Sequence, residues 1–226
     1  LMCNDSTMTK IPSDLPRQVA LSIFEMNNTN VETLASGDFR QLDFDNLTTL
    51  ILESCSISVV NETAFQNMPK LTYLYMGKNQ LTQVDPYTFP QSLQLLSVRQ
   101  NPQMSGLFTM SKDNFAGMTN LQWLDMNSMS INSKNLSADA FQGLNNLWYL
   151  QMRNSGLSEI PSRFFSSLTK LVVLDLAEID YNYQPFRGMK NLSMLFLSKN
   201  SISQFTPNLV ANLSRLSALH LNGNQL

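Results

Sequence analysis

The chain has 226 residues, 14% of them charged, and a formal net charge of −2. With no basic stripe, nucleic acid is not expected as a partner, and no run approaches the 18 apolar residues of a membrane-spanning helix. The 24 asparagines and 40 serines and threonines predict an uncharged, hydrated surface instead.

Residues 1–18 hold Cys3 and the phrase Ile11-Pro12-Ser-Asp-Leu15-Pro16, and residues 19–226 follow as repeats with no linker between them. The line Leu71-Thr-Tyr-Leu74-Tyr-Met76-Gly-Lys-Asn79-Gln-Leu81 recurs nine times with substitutions. Its copies open at Leu21, Leu47, Leu71, Leu93, Leu121, Leu147, Leu171, Leu192 and Leu216. The steps are 26, 24, 22, 28, 26, 24, 21 and 24 residues, a register that a random apolar sequence does not hold. The pattern L-x-x-L-x-L-x-x-N-x-L is that of a leucine-rich repeat. It predicts an α/β repeat solenoid, a curved horseshoe with a parallel concave sheet and an irregular convex side. Length then sets the number of turns, because each repeat packs only on its neighbours.

Within each repeat the L-x-L core predicts a short strand with leucine-type residues inward and the intervening ones outward. Inward Asn79, Asn101, Asn200 and Asn224 are placed to bond backbone groups left unpaired at the strand ends, as burial requires. Thr29, Cys55 and Ser155 are small substitutes in that slot, and Cys55 is expected to be a buried structural residue. Met129 and Ile179 are not substitutes, so the ladder is expected to break there. A second apolar point, Phe39, Phe65, Phe89, Phe115, Phe141, Phe165 and Phe186 with Leu209 after them, predicts a spine filling the convex side. Met26, Met76, Met126 and Met152 occupy the second strand leucine and are read as core.

Two repeats depart from the rule. The longest carries Asn101-Pro-Gln-Met-Ser-Gly-Leu-Phe-Thr-Met110 before Phe115, and extra residues must leave the solenoid as a loop, a common seat of function. Phe108 and Met110 are loop-contact candidates; folding back over the solenoid is the equal alternative. The 21-residue repeat from Leu171 packs Ile179, Tyr181 and Tyr183 into a tight turn expected to alter curvature locally. The ninth repeat runs into His220-Leu-Asn-Gly-Asn-Gln-Leu226, and the expectation is a fragment of a longer polypeptide.

The phenylalanine spine, the asparagine ladder and the I-P-x-x-L-P phrase resemble the animal extracellular leucine-rich repeat class. Within it, uneven repeat lengths and ladder breaks look most like a Toll-like receptor ectodomain; the closing Leu-His-Leu-Asn-Gly-Asn-Gln-Leu phrase also resembles the more regular variable lymphocyte receptors. The resemblance implies that residues 1–18 are the remnant of a cysteine-containing N-terminal cap, with Cys3 a half-cystine bonded upstream. A Cys3–Cys55 bridge is the minor alternative, since one belongs to the cap and the other to the interior. It further implies innate-immune ligand recognition at the cell surface, with two ectodomains pairing and membrane attachment through segments absent here. Alternatives are a secreted or anchored antigen-binding or adhesion protein, and a matrix scaffold. Fold alone does not choose among them.

An enzyme is not expected. His220 is the single histidine, and no metal, nucleophile or phosphate-loop motif is present, so no cofactor is predicted. Carboxylates such as Glu53 and Asp125 lie two or three repeats apart, roughly 10–15 Å at strand spacing.

The outward strand positions are richer. One column runs Ile23, Thr49, Tyr73, Leu95, Trp123, Tyr149, Val173, Met194 and Ala218. The next runs Glu25, Ile51, Tyr75, Ser97, Asp125, Gln151, Asp175, Phe196 and His220. Strand propensity accounts for some of these choices, yet exposed Tyr and Trp are also the residues that dominate interfaces. Tyr73, Tyr75, Lys78, Leu95, Arg99, Trp123, Asp125, Tyr149, Arg153 and Phe196 are therefore the ligand-binding candidates. A mixed-sign aromatic groove suits a protein, glycan or lipid-associated partner. Sequons at Asn4, Asn27, Asn46, Asn61, Asn135, Asn191 and Asn212 are candidate glycosylation sites, and sugar on Asn27 would obstruct one end of the concave face.

Overall fold

The computed structural model describes residues 1–13, 20–39, 42, 44–82, 84–105, 110–179, 186, 188–205, 209–211 and 213–226. Ten short strands form one parallel sheet. They are β1 (Met2–Asn4), β2 (Ile23–Asn27), β4 (Thr49–Glu53), β6 (Tyr73–Tyr75), β7 (Leu95–Ser97), β8 (Trp123–Asp125), β9 (Tyr149–Gln151), β10 (Val173–Asp175), β11 (Met194–Phe196) and β12 (Ala218–His220). Strands β3 (Thr33–Leu34) and β5 (Val59–Val60) pair separately on the flank. Register matches like with like: Tyr73 stands beside Leu95, Leu95 beside Trp123 and Trp123 beside Tyr149. The two outward columns read from the repeat pattern are therefore physical columns. Residues 1–4 add a tenth strand parallel to β2, with Cys3 beside Met26.

Alternation along each strand builds the core. In β4, Leu50 and Leu52 are buried while Thr49, Ile51 and Glu53 are half-buried on the other face. Leu47, Leu71, Leu93, Leu121, Leu147, Leu171 and Leu192 stack behind them in one buried column. On the convex side the chain makes successive tight turns, as where Met68 N–H donates to Phe65 O and Leu71 N–H to Met68 O. The helical pieces include two short 3-10 turns, Pro102–Ser105 and Ser133–Asn135.

The phenylalanine spine is buried at all seven positions. Its stacked rings lie 6.5 Å apart for Phe39–Phe65, 6.1 Å for Phe115–Phe141 and 5.9 Å for Phe141–Phe165. Neighbouring strands lie closer, at about 4.8 Å. A convex side wider than the sheet side bends the stack, which leaves the sheet concave.

The asparagine ladder forms as the repeat predicts. Asn79 Nδ2 donates to Leu52 O at 2.7 Å and Met76 O at 3.0 Å, while its Oδ1 accepts from the N–H groups of Cys55 and Ile57 at 2.9 and 3.1 Å. Asn101, Asn200 and Asn224 each join a carbonyl of their own repeat to one of the repeat before. Buried Met129 and Ile179 interrupt the series, and the buried Ser155 Oγ has no partner. Cys55 is buried, its Sγ donating to Met26 O at 3.1 Å, and both cysteines are free thiols.

Another regularity is invisible in the repeat pattern. Each chain turn leaves the sheet through a left-handed residue: Asn28, Ser54, Lys78, Gln100, Ser128, Asn154, Glu178 and Lys199, at φ of 50–58°. That conformation costs a non-glycine residue about 1–2 kcal/mol. Each of these N–H groups donates to the next repeat, from Asn28 to Glu53 O through to Lys199 to Asn222 O, so the strained corner still closes the ladder between turns.

Met110 is not a loop contact. It is fully buried, and Ser137 N–H donates to its carbonyl, so the long excursion returns its methionine to the core. An unbranched thioether fills the space between unequal repeats better than it serves as a ridge. Phe108, Tyr181 and Tyr183 lie outside the described residues.

Candidate ligand-binding face

A hollow of about 530 Å³ opens on the concave side between β2 and β9. The second outward column supplies Glu25, Ile51, Tyr75, Ser97, Asp125 and Gln151, and the first supplies Leu95 and Trp123. A third position, at or just past each strand's C-terminal end, adds Asn27, Glu53, Arg99 and Asn127. Of the predicted binding residues, Tyr75, Leu95, Arg99, Trp123 and Asp125 share this cradle. Tyr149 adjoins it through Trp123, with ring centroids 4.6 Å apart.

Tyr73 is exposed on β6, two residues before the cradle's Tyr75 and turned to the same face. Lys78 sits at a left-handed corner where the chain leaves the sheet. Arg153 is exposed and pairs with Glu178 at 3.6 Å. Phe196 belongs to a separate group, stacked on His220 at 4.4 Å with an 11° interplanar angle. Between the two aromatic groups Val173, which follows Tyr149 in the first outward column, is buried rather than exposed. The aromatic face is thus two patches, not one continuous stripe.

Trp148 was not among the residues read from the sequence. It is 40% exposed, lies edge-on to Tyr149 at 5.6 Å and faces Trp123 at 6.5 Å. Its position precedes the outward column by one residue, where other repeats carry Ser22, Thr48, Thr72 or Gln94; a tryptophan in that polar slot was the available signal. Trp123 Nε1 donates to Gln151 Oε1 at 3.3 Å, which orients the indole.

Gly77 governs the centre. Arg99 Nη2 reaches back two repeats to donate to both oxygens of Glu53, each at 3.0 Å. The arm passes over Gly77, where a Cβ would lie 2.8 Å from Arg99 Cγ and 3.1 Å from Glu53 Oε1. A side chain there would displace the ion pair.

Asp125 is held by the Ser97 hydroxyl at 3.0 Å and the Asn127 N–H at 3.1 Å. Burial nevertheless pushes its carboxyl above the usual range, outweighing those hydrogen bonds and the attraction of Arg99. Burial raises Asp175 likewise, against the Ala177 N–H and the charge of Arg153. It also raises the Tyr75 and Tyr149 hydroxyls. Glu178 moves the other way, lowered by the hydrogen bond from Lys199.

The sequons differ in setting. Asn4 and Asn61 are exposed, and exposed Asn46 accepts from Lys70 Nζ at 2.7 Å. Asn191 Nδ2 is engaged with Thr169 O at 2.7 Å. Asn27 Nδ2 donates to Glu25 inside the cradle, and its Oδ1 is buried without a partner. Asn135 ends a 3-10 turn, and Asn212 lies outside the described residues. Among the described residues no group of His, Cys, Asp and Glu is arranged to hold a metal ion, and no helix is long and apolar enough to cross a membrane.

This concave-sheet architecture defines a repeat solenoid, and the family profile described as leucine rich repeat matches residues 45–102, 103–157 and 183–226. The chain belongs to that family. It is 25% identical to mouse (Mus musculus) Toll-like receptor 7 over 98% of this chain and 20% of the receptor. It is 33% identical to bovine (Bos taurus) decorin over 94% of this chain and 56% of decorin. Mouse podocan is 29% identical over the full chain and 36% of its own length. The chain therefore spans from a fifth to just over half of these relatives.

Proposed function

We propose that the chain is the extracellular ligand-recognition part of a Toll-like receptor, binding its ligand at the concave cradle around Trp123 and acting through pairing of two ectodomains. The observation that carries this reading is the cradle itself: partly exposed aromatics beside a preset carboxylate, the residue types that concentrate binding energy. Likeness to Toll-like receptors over nearly the whole chain supports it. On this reading residues 1–18 are a cap remnant, Cys3 is a cap half-cystine, and the exposed sequons Asn4, Asn46 and Asn61 carry glycans.

A second reading, a secreted matrix-type or ligand-binding repeat protein, is favoured by the identity to decorin and podocan, small leucine-rich-repeat proteoglycans. Sequencing the native transcript beyond the codon for Leu226 separates the two. A membrane-spanning segment followed by a signalling domain is expected; a secreted end overturns the receptor reading. The cradle is tested by panning the chain against a phage library of random peptides. Binders are expected to be lost when Tyr73, Trp123 and Tyr149 are all changed to alanine with the fold intact; unchanged capture removes the cradle from the argument.

A further inference from the structure

The cradle's charge names the chemistry of its occupant. It contains three carboxylates, Glu25, Glu53 and Asp125, against one cation, Arg99. Arg99 is committed to Glu53, both oxygens at 3.0 Å. Among the described residues neither Glu25 nor Asp125 makes an ion pair; Glu25 accepts from Asn27, and Asp125 from Ser97 and the Asn127 backbone. Asp125 is thus an oriented anion in a half-buried place, hydrogen-bonded by neutral donors and attracted by Arg99 without being paired to it.

Next to it stands an aromatic wall. Trp123 lies two residues earlier on β8, hence on the same face at roughly 7 Å along the strand. Tyr149 and Trp148 extend that wall. A carboxylate flanked by tryptophan and tyrosine attracts a cation twice, by charge and by the ring quadrupole. Arginine fits both, because its planar group stacks on an aromatic face while its edge donates to a carboxylate. An anionic or aliphatic occupant would meet Glu25 and Asp125 without compensation.

We infer that the cradle binds a protein segment presenting an arginine, whose guanidinium stacks on Trp123 and donates to Asp125. This rests on the cradle being the binding face and adds the partner's chemistry. Trp123 and Trp148 are the chain's two tryptophans, so intrinsic fluorescence reads the site directly.

The test is a fluorescence titration of the full chain with hexa-arginine, using hexacitrulline as the neutral isostere and hexaglutamate as the opposite charge. Saturable quenching by hexa-arginine is expected, at least tenfold weaker with hexacitrulline or with Asp125→Asn, and unchanged with Glu62→Gln, an exposed acid on a convex turn. Equal loss in Asp125→Asn and Glu62→Gln, an absence of response, or tighter binding of hexaglutamate or of a sulfated oligosaccharide overturns the assignment. Should the aromatic triple variant lose its phage-selected peptides while Asp125→Asn keeps them, the cradle stands and the arginine assignment falls. Should both variants keep them, both fall.

Discussion

Asn79→Leu tests the physics that joins one repeat to the next. The side chain is 3% exposed and serves five backbone groups in two repeats. Leucine matches its bulk and leaves the N–H groups of Cys55 and Ile57 facing an apolar side chain. A buried donor without a partner costs about 1–3 kcal/mol, so two cost roughly 2–6 kcal/mol. The carbonyls of Leu52 and Met76 add less, since under-satisfied acceptors are better tolerated. About 4 kcal/mol in a chain of this size corresponds to a fall in Tm of roughly 8–16 °C. Ser155→Ala is the control from the same column: its buried hydroxyl bonds nothing, so removal changes stability by less than about 0.5 kcal/mol. Urea unfolding followed by far-UV circular dichroism measures both. A cost below about 1 kcal/mol for Asn79→Leu, or equal costs for the two variants, refutes the ladder argument.

Phe141→Ala removes a fully buried ring that stacks on Phe115 and Phe165 and meets Phe164 edge-on; calorimetry is expected to show a loss of about 3–5 kcal/mol. Asp125→Asn has a pH signature with a definite sign. Burial raises the folded carboxyl above its unfolded value, so the folded state binds the proton more tightly and the ionised form opposes folding at neutral pH. Urea titrations should find Asp125→Asn more stable than the parent at pH 7, with the advantage shrinking as pH falls through the raised value; an advantage that grows on acidification contradicts the desolvation argument. Thiol labelling should separate the cysteines: iodoacetamide modifies half-buried Cys3 in the native chain, while buried Cys55, its thiol raised by desolvation, reacts only on unfolding. Mass spectrometry showing both labelled under native conditions would contradict the burial of Cys55.

The candidate site was half legible. Tyr75, Leu95, Arg99, Trp123 and Asp125 were identifiable because strand alternation says which residues point outward and the repeat says which share a column. Trp148 escaped because the residue before the strand follows no alternation rule. Gly77 escaped because its role is an absence of bulk that matters only when Arg99 crosses it from two repeats away. Met110 stays undecided in the sequence between contact and core because a long loop has two ways to use an apolar residue, outward or back into the core, and spacing carries no information on which. The left-handed corners were equally hidden, since Lys78, Gln100 and Glu178 do not announce positive φ as glycine would.

Sequence alone determined the solenoid, its inward columns, the phenylalanine spine and the asparagine ladder with its breaks. These follow from a period-two strand written inside a period of about two dozen residues, and both periods are properties of the line of residues. Tertiary structure decided the company the outward residues keep. The cradle depends on how far an arginine arm reaches across a glycine and how two tryptophans in adjacent repeats meet, and its edge on where the outward column sinks, as at Val173. Those are distances between side chains of different repeats, set by packing and curvature rather than by local pattern.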